Sequence, residues 1–112
     1  MTQNKNILAI ITAATGDRVV VTQLELKNHA HKHFPNLPLY ILVEFIEKIL
    51  KDPDHVFLDP QTNKHLLFYR VDENKYVVVV IKHTPDGVYF SSIYPTGSAI
   101  RNKHKKFKKV KI

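Results

Sequence analysis

The spacing of apolar residues changes period near the middle of the chain. From Leu39 to Lys51 the apolar positions Leu39, Leu42, Val43, Ile46, Ile49 and Leu50 recur at helical spacing, while Glu44, Glu47, Lys48 and Lys51 fall on other faces. This predicts a helix that Pro53 ends. Beyond it the period becomes two. Val56 to Leu58, Leu66 to Val71, Tyr76 to His83 and Val88 to Tyr94 are rich in β-branched and aromatic residues, which favour strands. The segments between them (59–64, 72–75 and 84–87) carry Pro, Asn, Asp and Gly, so consecutive strands should form antiparallel hairpins.

Upstream the pattern is shorter. Ile7 to Thr12 and Arg18 to Val21 flank Gly16–Asp17, which suits a hairpin; a helix over residues 6–14 is the competing reading. Thr22 is a suitable N-cap, with Glu25 completing a capping box, and Gln23 to Phe34 then reads as a helix stopped by Pro35. The expected architecture is α+β. Helices, with or without a preceding hairpin, pack on one face of a four-stranded antiparallel meander.

Alternation sorts the strand side chains. Val77, Val79 and Ile81 share one face; Tyr76, Val78, Val80 and Lys82 share the other. Ser92 and Tyr94 lie together, opposite Ser91 and Ile93. Which face meets the helices depends on the strand register, which the pattern alone does not set; Lys82, Ser92 and Tyr94 are expected to meet on the exposed one.

Composition narrows the function classes. A chain of 112 residues has room for one domain and one core. Cysteine is absent, which removes disulfides, thiolate metal sites and cysteine nucleophiles, and fits a reducing compartment such as the cytoplasm. The start, Met1 to Asn6, lacks the features of a signal peptide, and no segment approaches the roughly 20 apolar residues of a membrane span. A soluble protein without a membrane partner is expected. Three glycines leave no Gly-rich phosphate loop.

The net charge of +7 is local. Residues 1–100 carry ten basic and ten acidic side chains, whereas residues 101–112 hold seven basic residues and no acid. The chain thus reads as a domain over 1–100 followed by a basic segment. Arg101, Lys103, Lys105, Lys106, Lys108, Lys109 and Lys111 would grip an anionic backbone, nucleic acid being favoured over membrane. A solvated terminal segment is the bland alternative. Phe107, Val110 and Ile112 indicate that part of it adds an edge strand, where lysines also discourage aggregation.

The cluster His29–Ala30–His31–Lys32–His33 is the most unusual local feature. On a helix, His29 and His33 are one turn apart and share a face, while His31 points away. Two imidazoles can supply general base and general acid near neutral pH. RNA cleavage needs that pair, with a cation to stabilise charge on the phosphoryl oxygens. The same spacing suits zinc, but the glutamate of His-Glu-x-x-His and a third ligand are missing. Polar residues at an exposed helix end would look alike.

From Val19 to Tyr94 the chain resembles the phage-associated members of the barnase–EndoU–colicin–RelE-like nuclease superfamily. The carriers are the His-x-x-x-His stretch Leu26 to Phe34 followed by Pro35, then Asp52–Pro53–Asp54–His55–Val56. The aliphatic strand Tyr76 to Lys82 and the strand Ser92–Ile93–Tyr94–Pro95 complete the ordered set. The resemblance implies a toxin-like, metal-independent endoribonuclease without a cofactor, with active groups on the open sheet face beside the helix. His29 and His33 would supply acid–base chemistry, Ser92 and Tyr94 would bind phosphate, and Lys82 would be the stabilising cation. Base and acid are not assigned, because the better-known EndoU enzymes space their histidines farther apart. The implied partners are an RNA substrate and an inhibitor or antitoxin protein. A non-catalytic RNA- or DNA-binding module using the same sheet and basic segment is the alternative. His55 and His65 are expected at the surface, His83 at a strand end, and Tyr69, Tyr76 and Phe90 in sheet packing.

Overall fold

The computed structural model describes residues 6–30, 32–72, 75–97 and 107–111. The chain begins with strands β1 (Ile7–Thr12) and β2 (Arg18–Thr22), paired antiparallel across a turn where Gly16 takes φ 91°. A side chain is disfavoured at that φ, so glycine fits the turn. Next comes α1 (Gln23–Glu25), which widens into a π-helical turn over Leu26–Ala30. Helix α2 (Leu39–Lys51) follows, then β3 (His55–Leu58), β4 (His65–Asp72), β5 (Lys75–Thr84), β6 (Gly87–Thr96) and the two-residue β7 (Lys108–Lys109).

The strands form one sheet in the order β1-β2-β6-β5-β4-β3-β7. All neighbours are antiparallel except β2 and β6, which run parallel with Val19 beside Val88 and Val20 beside Tyr89. Two expectations are corrected here. The sheet has seven strands among the described residues rather than four, because both chain ends add to it. The helices also do not come first. Ile11, Val19 and Val21 are buried by alternation, which seats the β1–β2 hairpin as a wing of the sheet, and the 6–14 helix reading falls away.

Helix α2 has the bounds its periodicity predicts. It buries Leu42, Ile46, Ile49 and Leu50 against Val56, Phe68, Val77, Val79, Ile81, Phe90 and Ile93 of the sheet. Each such side chain contributes roughly 1.5–3 kcal/mol on burial. The first helix is shorter than expected. Only Leu26 and Ala30 are buried in it, and the Ala30 carbonyl accepts from both His33 N–H (3.1 Å) and Phe34 N–H (3.0 Å), closing the turn. Lys32 and His33 are therefore beyond the helix, and His31 lies outside the described residues.

The opposite sheet face carries a smaller apolar cluster of Leu67, Tyr69 and Val78, against which Phe57, Tyr76, Val80, Tyr94 and Phe107 pack. Phe107 and β7 thus tie the basic segment to the sheet edge at Phe57 and Leu58. No helix among the described residues is long and apolar enough to cross a membrane.

Candidate active site

Because β2 runs parallel to β6, the chain leaving Thr22 arrives alongside the middle of β6, and the first helix lies next to its second half. Thr22 is buried, and its Oγ1 accepts from the Glu25 N–H at 3.3 Å. The reciprocal half of the capping box is replaced: the Glu25 carboxylate reaches forward to His29 Nε2, 3.2 Å away. Both side chains are partly exposed. Glu25 then lines a cleft of about 330 Å³ together with Thr22, Lys82, Asp86, Tyr89 and Ser91.

Sheet register explains the cleft. Lys82 is opposite Tyr89 and His65, and Val80 opposite Ser92, so these residues share the face of Val78 and Tyr94. Between Val80 and Ile81 the register shifts, since Ile81 pairs with Phe90 and Val80 with Ser92. Ser91 is the extra residue of this β-bulge. Bulges re-aim side chains, and Ser91 joins the cleft instead of following the strict alternation that places it opposite Ser92. The bulge also lets both Phe90 and Ile93 reach the core.

One strand turn further, Tyr94 is opposite Val78, and its ring centroid lies 6.2 Å from that of His33, with the planes tilted by 52°. Burial pushes the Tyr94 hydroxyl above the ordinary tyrosine value, since desolvation penalises the phenolate. The hydroxyl is therefore a proton donor at neutral pH.

The expected residues thus fall into two groups beside β6. His29 is paired to Glu25, which lines the cleft with Lys82; His33 is beside Tyr94, with Ser92 on the same strand face. His29 and His33 do not share one regular helical face, because the π turn ends at Ala30. Lys108 and Lys109 are exposed on β7 at the far edge, four strands from β6, roughly 19 Å at about 4.8 Å per strand. Lys111 is exposed beyond them; Arg101, Lys103, Lys105 and Lys106 lie outside the described residues.

Sequence reasoning missed Glu25, Tyr89 and Ser91 as cleft residues. Glu25 had a signal in its i,i+4 spacing to His29; the bulge had none. The remaining histidines are occupied elsewhere or apart. His83 Nε2 is 3.0 Å from Asp17 Oδ1 and His65 Nδ1 is 2.9 Å from Thr62 Oγ1. His55, expected at the surface, is half-buried against Phe57, and its Nδ1 has no hydrogen-bond partner among the described residues. Tyr69 and Phe90 are packed in the sheet as expected. Among the described residues no three His, Asp or Glu side chains gather as a metal-binding group.

Compared with known proteins, residues 1–111 match the family model described as phage-Barnase-EndoU-ColicinE5/D-RelE like nuclease2. No curated protein and no solved structure matches the chain.

Proposed function

The chain belongs to the phage-Barnase-EndoU-ColicinE5/D-RelE like nuclease2 family, and from that premise we propose that it is an endoribonuclease that cleaves RNA by 2′-OH attack without a metal. The observation that carries this reading is that two imidazoles lie beside strand β6, one ion-paired with a carboxylate that lines the cleft and the other against a tyrosine of the strand. His29 is held by the Glu25 carboxylate, and His33 stands over Tyr94, with Lys82 inside the cleft.

Glu25 accepts from the Nε2–H of His29, which leaves the Nδ1 lone pair to take the 2′-OH proton. The 2′ oxygen attacks the phosphorus, the bond to the 5′ oxygen breaks, and His33 in its protonated form supplies the proton to that leaving oxygen. The products are a 2′,3′-cyclic phosphate and a 5′-hydroxyl. Lys82 offsets charge developing on the phosphoryl oxygens, and the Ser92 and Tyr94 hydroxyls orient the phosphate. A toxin acting in the cytoplasm and restrained by an inhibitor protein is the setting the family suggests.

The test is incubation of purified protein with mixed RNA in excess EDTA. Cleavage that persists, gives cyclic-phosphate ends, spares DNA and vanishes in His29→Ala and His33→Ala supports the proposal. Salt-sensitive binding without cleavage would instead identify a non-catalytic nucleic-acid-binding module.

A further inference from the structure

The two edges of the sheet are built differently. At one end β7 presents Lys108 and Lys109, charges that discourage another chain from adding on. At the other end β1, Ile-Leu-Ala-Ile-Ile-Thr, has no charge, no proline and no glycine. Ile7 is 56% exposed and Ile10 52%, and among the described residues nothing pairs with the outer side of the strand. Beside it, Leu8 joins Leu39, Tyr40 and Val43 of α2 around an open apolar groove of about 390 Å³.

We propose that β1 is a self-association edge, pairing antiparallel with β1 of a second copy about a two-fold axis. Such an interface sets one patch against itself, so every residue must tolerate its own image. The opposite sheet edge, with Lys108 and Lys109 on β7, meets this condition poorly, because like charges placed opposite each other are destabilising. The uncharged β1 meets it at all six positions. Pairing satisfies the outward N–H and C=O groups of the edge and covers Ile7, Ile10 and the Leu8–Tyr40 groove. The sheet then continues through both copies. The two β6 strands stand five strand steps apart, about 24 Å, with both clefts open on the same face.

Sedimentation of the full chain without nucleic acid, from low to high micromolar concentration, tests this independently of any nuclease activity. The expected result is a species of twice the chain mass that halves in mass in the Ile7→Lys/Ile10→Lys variant, with an unchanged circular dichroism spectrum. A monomer throughout the range overturns the proposal, as does a dimer that survives both lysines. Should the variant fail to fold, hydrogen exchange of the wild-type chain decides. Protection of the Ile7–Thr12 amides that falls on dilution supports the pairing, and protection independent of concentration overturns it.

Discussion

The imidazole of His33 and the phenol ring of Tyr94 lie 6.2 Å apart although they come from different layers, one from the turn closing the first helix and the other from strand β6. The contact arises because Ala30 anchors the turn in the core while Tyr94 projects from the opposite face of the sheet. The β2–β6 pairing covers only Val88 and Tyr89 of β6, so the strand's second half, where Tyr94 sits, is left to the first helix and its closing turn.

Tyr94 should make stability fall at alkaline pH. Its folded pKa lies above the ordinary value of about 10, so the folded chain keeps the proton while the unfolded chain loses it. With fewer protons bound in the unfolded state, unfolding free energy decreases as pH rises. The Tyr94 contribution is fully present below about pH 10 and is lost as pH climbs through the raised folded value. Denaturant titrations across this window should show a smaller alkaline loss in Tyr94→Phe than in wild type; equal losses would contradict the desolvated environment.

The two histidines should be unequal to their neighbour Glu25 in effect. His29→Ala and His33→Ala are each expected to lower kcat on RNA by about 10²- to 10⁴-fold, the usual range for a lost acid or base. Glu25→Gln should cost about tenfold, since it removes orientation and charge from one hydrogen bond but no reacting group. A Glu25→Gln loss as large as that of His29→Ala would mean that the carboxylate itself moves the proton. Single-turnover cleavage rates across pH distinguish these outcomes.

The legibility of the fold tracks how much one local rule decides. Helix α2 was readable to the residue because six apolar positions at helical spacing lie between two prolines. The strands β3 to β6 were readable because alternation and turn residues agree. The first helix was overextended: Gln23 to Phe34 has good helix formers, yet only Leu26 and Ala30 find a core to pack on, and tertiary packing outweighs propensity. The hairpin and the C-terminal edge strand were suggested by local pattern, but where they join the sheet, β2 on β6 and β7 on β3, is set by distant pairing that no local pattern encodes. For the candidate site, residue type and alternation put His29, His33, Lys82, Ser92 and Tyr94 forward, and the structure sets Lys82 in the cleft with Glu25 and His33 beside Tyr94. Ser91 escaped because a single bulge inverts the alternation at that point.

Thr22 links stability to the cleft. Its Oγ1 caps the helix that carries Glu25 and His29, and the side chain is 2% exposed. Thr22→Ala should destabilise the chain by about 1 kcal/mol, the typical value for a lost N-cap. Thr22→Ser keeps the oxygen and should recover most of that. Thermal melts of the two variants check this; equal destabilisation by both would place the role of Thr22 in methyl packing rather than in capping.

The lysines of β7 should govern affinity without touching chemistry. Lys108 and Lys109 are exposed, and their strand is four places from β6 in the sheet, too far for either amine to reach a phosphate held between Lys82 and Tyr94. Backbone contacts by lysine release counterions, and for single strands each lowers the slope of log K against log salt by about 0.7. Lys108→Ala/Lys109→Ala should therefore flatten that slope by about 1.4 and weaken binding alike for every RNA sequence, leaving kcat at saturating RNA unchanged. Fluorescence anisotropy over a salt series, with a catalytically silent His33→Ala background to prevent cleavage, measures the slope directly. An unaltered slope would show that β7 guards the sheet edge and binds no phosphate, and that affinity comes from other basic residues.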